Sequence, residues 1–254
     1  MQWEDTGILL KKHKFGETHH ILVFLTKTYG KHAGLYRGKI SLPEPGELLK
    51  VCWKGRLQDH LGEWRNLEKQ YAPFIHILGH SGKLYALSSA LALTEKTLAD
   101  RDVHPALYEY LLTFIKDLQM EDPFWILSYI SYELSLLSEI GFGLDLSKCA
   151  VTGKHENLAF VSPKTGHAVT PQGGEGYLDR LLPLPPFLIN LSLSKISSPF
   201  PELSQLQEGL MLTKYFLEKS LAACNASSHK SSLPPYRSLL VNWTETLKSQ
   251  NSNI

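Results

Sequence analysis

The sequence predicts a two-domain β + α chain: a small closed β-barrel at the N-terminus, then an all-α helical domain carrying an irregular Gly/Pro-rich insert. Three observations predict it. Short apolar, β-branched runs separated by turn residues fill residues 6–71. Beyond Pro73 the apolar residues recur at helical spacing instead. Residues 144–190 follow neither pattern, and because so long a structureless loop is rare inside a compact domain, a small subdomain is expected there.

The elements follow in order. Residues 6–14 form an apolar run that ends in a basic cluster, and Phe15-Gly16-Glu17 supplies a turn. His20–Thr26 fits a well-buried strand, and Tyr29-Gly30-Lys31 reverses the chain. Residues 32–39 make a third strand punctuated by glycines, after which Pro43-Glu44-Pro45-Gly46 breaks structure. Residues 48–57 alternate well enough for a fourth strand, and Trp64–Tyr71 supplies a fifth. Five short strands without an intervening long helix suggest closure, which removes exposed edges, and hence a barrel of the oligonucleotide-binding (OB-fold) type over residues 1–75. Residues 76–254 should be helical, with 144–190 inserted. Helices are expected at 84–98, after His104-Pro105, at Phe124–Ile140 as a buried central helix stopped by Gly141-Phe142-Gly143, at 206–221, and from Tyr236 to about Leu247. Within the insert, residues 158–162 read as a strand and 163–166 as its turn.

Composition narrows the function classes. The 254 residues hold 26 Lys plus Arg against 25 Asp plus Glu, but the charge is uneven: residues 1–72 carry a net +4 and the remainder a net −3. Apolar stretches break within about ten residues, short of the ~18–20 that span a bilayer, and the opening MQWEDTGILLKKHK has its acids on the wrong side for a secretory leader. With three scattered cysteines, Cys52, Cys149 and Cys224, no disulfide framework forms and the expected compartment is the cytoplasm.

Enzyme signatures are missing: there is no phosphate loop, GxGxxG, HExxH, CxxC or GxSxG. The adjacent His19 and His20 point to opposite faces of a strand, so a metal site is not expected there. The acid pairs Asp100 with Asp102 and Glu121 with Asp122 read as loop or helix-start acids. A non-enzymatic binding protein without cofactor is therefore expected. On the barrel, Lys11, Lys12, Lys14, Lys27, Lys31, Arg37, Lys39, Lys54 and Arg56 are candidate phosphate ligands; Tyr29, Tyr36, Trp53 and Trp64 are candidate base-stacking platforms, Tyr36 and Trp53 foremost. Taken singly, each aromatic is expected in the core and each lysine in solvent; as a cluster, they point to nucleic acid. The alternative is a protein–protein adaptor whose barrel does not bind DNA.

A succession of segments carries a family resemblance. Asp5-Thr6-Gly7-Ile8-Leu9-Leu10, Tyr29-Gly30-Lys31, Leu35-Tyr36-Arg37-Gly38 and His104-Pro105-Ala106-Leu107-Tyr108-Glu109 resemble the bacterial recombination mediator RecO. So do residues 133–149, Phe160–Gly166 and Arg180–Leu188, in a form similar to the alphaproteobacterial branch. The resemblance spans about residues 1–222, in order. It implies an OB-fold and a helical domain, binding of single- and double-stranded DNA, annealing of complementary strands, partnership with RecR, and help to RecA in displacing the single-strand-binding protein SSB during recombinational repair. It also implies that the acidic-hydrophobic SSB tail docks on the helical domain, in an apolar groove with a few Lys or Arg at its rim. One departure stands out. Many family members hold structural zinc with two CxxC pairs in the insert; here Cys149 has Thr152 for its companion and the later pair, expected near Val169–Gly173, is absent, so no zinc is expected.

Overall fold

The computed structural model describes residues 1–38, 42–56, 60–121, 124–191, 200–224 and 232–251. Five strands close a barrel in the order β1-β2-β3-β5-β4: β1 Gln2–Phe15, β2 His19–Thr26, β3 Gly30–Tyr36, β4 Leu48–Lys54 and β5 Gly62–Tyr71. All neighbours are antiparallel except β3 and β5, which meet in parallel at Gly34↔Gly62 and Leu35↔Glu63. This is the closed five-stranded barrel of OB type that the sequence predicts. Strand β1 is long because it pairs with β4 through its first half and with β2 through its second, and an irregularity between Leu9 and Lys11 bends it from one partner to the other.

Inward residues at alternate positions fill the barrel with Trp3, Leu9, Leu22, Phe24, Leu49, Val51, Trp53 and Trp64. The bulk of the indoles explains the glycines at the closure. A Cβ on Gly34 would stand 2.8 Å from the Trp64 ring, and one on Gly62 would stand 2.2 Å from that of Trp53. Closure therefore needs hydrogen at both positions.

The chain divides into two compact units, residues 1–121 and 122–254. The first holds the barrel with α1 Phe74–Ile77, α2 Ser81–Thr97 and α3 Pro105–Asp117. The imidazole of His80 caps α2 by accepting from the Lys83 N–H (3.2 Å), and Pro105 opens α3. Leu87 of α2 packs beside Gly46, and the Tyr108 hydroxyl of α3 bonds Thr6 Oγ1 at 3.2 Å, so both helices rest on β1 and its neighbours.

The second unit is built on α4 Phe124–Glu139, α5 Pro186–Leu191, α6 Leu203–Cys224 and α7 Pro235–Asn251. Helix α4 is buried around most of its circumference, as its composition predicts, and Gly141 at φ 81° ends it. Inside this unit Glu133 of α4 and Arg237 of α7 are both fully buried. Arg237 Nε lies 2.6 Å from Glu133 Oε1, its Nη2 donates to Leu210 O of α6 (2.7 Å), and Thr213 donates to the same carboxylate. Burial alone would expel the charges; the shared carboxylate keeps the guanidinium ionised and its pKa raised.

The insert folds on β6 Phe160–Val161, β7 Ala168–Val169 and β8 Leu182–Pro183, in the order β7-β6-β8. The predicted strand is shorter than residues 158–162, and its turn closes through Gly166 N to Ser162 O at 2.8 Å. Leu146, Leu158, Val161, Val169, Leu184 and Leu188 supply its buried interior.

Candidate nucleic-acid interface

Register determines which side chains of the barrel share a face. His13 of β1 stands opposite Ile21 of β2, Ile21 opposite Leu35 of β3, Leu35 opposite Glu63 of β5, and Glu63 opposite Lys54 of β4. These residues cross all five strands in one row on the outer face, since Trp53 and Trp64, their chain neighbours, point inward. Arg37 and Arg65 flank the row. Arg65 Nη2 lies 2.8 Å and Arg37 Nε 3.4 Å from the Glu63 carboxylate. Hydrogen bonding from Arg65 holds the Glu63 carboxyl below the usual carboxylate range, and the charges of Arg37 and Lys54 add to it. Three exposed cations thus surround one carboxylate, beside the half-buried apolar Ile21 and Leu35. Such a surface can take a phosphate chain along the row with sugars or bases on the apolar centre.

A second row follows the other side of the β1–β2 hairpin. Lys14 stands opposite His20, and His20 opposite Tyr36, whose ring packs against the barrel core and is half-buried. Lys14, Lys54 and Arg56 are exposed and make no ion pair among the described residues.

Other sequence candidates have different duties. Lys11 pairs with Glu95 at 3.0 Å, Lys12 with Glu44 at 2.5 Å and Lys27 with Glu109 at 2.8 Å. Lys31 is corrected outright. Only 9% exposed, its ammonium donates to the Glu95 and Leu98 carbonyls (2.9 and 2.6 Å) and lies 3.2 Å from Asp100, tying the barrel to the end of α2. Trp53 is corrected too: it is 0% exposed, its indole N–H donates to Ala33 O, and its ring is stacked with Trp3, so no base can reach it. Trp64 is buried in the same cluster, whereas Tyr29 lies outermost, stacked 4.1 Å from Trp3. Lys39 lies outside the described residues. Sequence reasoning missed Arg65; the signal was the alternation Glu63-Trp64-Arg65, which puts both charges on the face away from the indole.

In the insert, the Cys149 Sγ accepts from the N–H groups of Thr152 (3.4 Å) and Thr170 (3.3 Å) and sits 3.5 Å from the Thr170 hydroxyl. A Cβ on Gly173 would meet that sulfur at 3.0 Å. Residues 149, 152, 170 and 173 therefore converge with the spacing of two CxxC pairs, but one thiol, two hydroxyls and a glycine do not fit tetrahedral zinc. Burial pushes the Cys149 thiol up, and the hydrogen bonds from Thr152 and Thr170 outweigh it, bringing the pKa to about 6.

The second unit carries a groove of about 490 Å³ between α6, α7 and β8. Among the described residues its rim holds Glu208, Glu218 and Glu245 against the single Lys214, the reverse of the basic rim expected for an acidic tail.

Comparison with known proteins gives the barrel and the helices a common family. Residues 1–70 match the model "Recombination protein O N terminal" and residues 81–229 match "Recombination protein O C terminal". The chain belongs to the RecO family. The DNA repair protein RecO of Rhodospirillum centenum is 41% identical over 230 residues, 88% of each chain. That of Dinoroseobacter shibae is 39% identical over 227 residues, covering 87% of this chain and 90% of the relative. That of Methylorubrum extorquens is 38% identical over 225 residues, 86% of this chain and 90% of the relative. These sources agree with the alphaproteobacterial resemblance, and RecO membership carries a role in DNA repair and recombination. No helix among the described residues is long and apolar enough to cross a membrane.

Proposed function

We propose that the chain is a non-enzymatic recombination mediator that binds single- and double-stranded DNA, anneals complementary strands and, with RecR, promotes RecA loading on SSB-coated single strands. Family membership supports the reading as a whole, and the outer-face row around Glu63 is the observation that supports DNA binding. The surface is suited to annealing because cations can screen two phosphate chains while the bases stay free to pair. Contacts to phosphate carry no direct base code, so sequence preference is weak. Arg37, Lys54 and Arg65 are the primary ligands, with Lys14 and Arg56 extending the path and Tyr36 offering a ring edge. RecR, the SSB tail and RecA are the proposed protein partners, and the nucleoid-bearing cytoplasm the proposed location. One observation favours the rival adaptor: Lys11, Lys12 and Lys27 already have carboxylate partners.

The deciding experiment is fluorescence anisotropy of a labelled single strand at low and moderate salt, with the wild type and the Arg37→Ala/Lys54→Ala/Arg65→Ala variant. Saturable binding that weakens with salt and drops at least roughly tenfold in the variant supports the mediator. Absence of wild-type binding at low salt makes the barrel a protein-docking module.

A further inference from the structure

Beyond the barrel, the second unit presents a docking surface whose charge identifies the kind of partner. One stripe of α6, Ser204, Glu208, Met211, Tyr215 and Glu218, recurs every three or four residues and faces Val241 and Glu245 of α7 across the groove. Gln207 Nε2 donates to Thr244 O at 2.8 Å and fixes the two helices together at that point. Along the stripe Met211 is 50% exposed and Tyr215 39%, large apolar side chains that a solvated helix face does not need. Around them stand three exposed carboxylates, and among the described lining residues the one cation, Lys214, is shared with Glu218 at 3.9 Å. Glu208 and Glu245 make no ion pair among the residues whose side chains are described. The α7 wall lies beyond residue 229, where the family model ends, yet the buried Arg237–Glu133 pair makes that helix integral to the unit.

We propose that the α6–α7 groove receives a basic amphipathic segment of a protein partner, its apolar side chains on Met211 and Tyr215 and its Lys or Arg against Glu208 and Glu245. An apolar centre ringed by carboxylates selects this ligand and repels an acidic tail, since like charges facing across an interface oppose binding. The helical groove suits a helix presenting anchors at i, i+4 and i+7. This inference stands whether or not the barrel binds DNA.

The test uses the full chain labelled with ¹³C at the methionine methyls. Met1, Met120 and Met211 give three probes, of which only Met211 lines the groove. The ligand probe is a synthetic Lys/Leu peptide patterned as an amphipathic helix of about five turns, ~18 residues, and the control is an Asp/Leu peptide of the same pattern. The expected result is a saturable shift of the Met211 methyl with the Lys/Leu peptide, Met1 and Met120 unmoved, and a roughly tenfold rise in Kd for Glu208→Lys/Glu245→Lys. Both replaced residues are exposed, so the fold is retained, which an unchanged urea midpoint monitors. A Met211 signal that does not move, a Kd unchanged by the charge reversals, or equal affinity for the Asp/Leu peptide overturns the proposal.

Discussion

At the scale of single residues, a basic side chain on this barrel is defined by what its charge already touches. Lys31 and Arg65 look alike in sequence, yet one ammonium is enclosed by backbone carbonyls and the other charge lies on the open row. Lys31→Ala leaves the Glu95 and Leu98 carbonyls without their donor. It is expected to cost about 2 kcal/mol, read as a lower urea midpoint, while strand affinity stays within about twofold of wild type. Glu63 is the opposite case. Its depressed pKa keeps it ionised at neutral pH, where it cancels part of the field of Arg37, Lys54 and Arg65. Glu63→Gln should therefore tighten binding of a labelled single strand several-fold at low salt, and an unchanged Kd would place the strand elsewhere. The same contrast shows how far the site was legible. Charge type and strand position pointed to Arg37, Lys54 and Arg56, which the structure leaves exposed because no helix among the described residues packs over those strand ends. Burial of Trp53 was legible only as the general expectation for a single aromatic, and burial of Lys31 not at all: it depends on the end of α2 reaching β3, which long-range packing sets.

At the scale of elements, local signals were strongest where an apolar run or a single period ran long. Short apolar runs bounded by turn residues located all five barrel strands, and Pro105 and Gly141 marked a helix start and stop. The four-residue α1 and six-residue α5 escaped because neither is long enough to show a period. The insert escaped in part because its strands are two residues each and owe their place to tertiary contacts. Cys149 is one such contact, and it carries a pH dependence. Its folded pKa of about 6 lies below the ordinary thiol value of 9.0. The thiolate's contribution is therefore fully present above about pH 9 and lost as pH falls through about 6. The urea midpoint should rise with pH across that window, and Cys149→Ser should flatten the rise. Helix α7 gives a larger effect. Arg237→Ala strands the buried Glu133 charge and should destabilise the chain by about 3–5 kcal/mol, whereas replacing both partners by apolar residues of similar volume should recover most of the loss in the same denaturation assay.

For the whole molecule, charge must be counted over folded units. Residues 1–72 carry +4, but α2 and α3 belong to the same compact unit and bring Glu95, Asp100 and Glu109 onto Lys11, Lys31 and Lys27. Over residues 1–121 the net is only +2, and over the whole chain +1. A molecule with so small a net charge has little long-range pull on DNA, so affinity must come from the local excess around Glu63 and the exposed cations Lys14 and Arg56. The number of phosphates neutralised is then small. With about three to five cations engaged, log K for a single strand should fall against log salt with a slope of roughly −2 to −3.5, far shallower than for a protein with a continuous basic groove. Anisotropy titrations across a salt series measure this slope directly. Removing Arg37, Lys54 and Arg65 together should bring it down by about 2, whereas removing Lys11, Lys12 and Lys27 should leave it nearly unchanged, because those charges are already met by carboxylates. If the second set lowers the slope as much as the first, the ion pairs of the free protein open on binding and the DNA path runs toward α2 and α3 instead of across the row at Glu63.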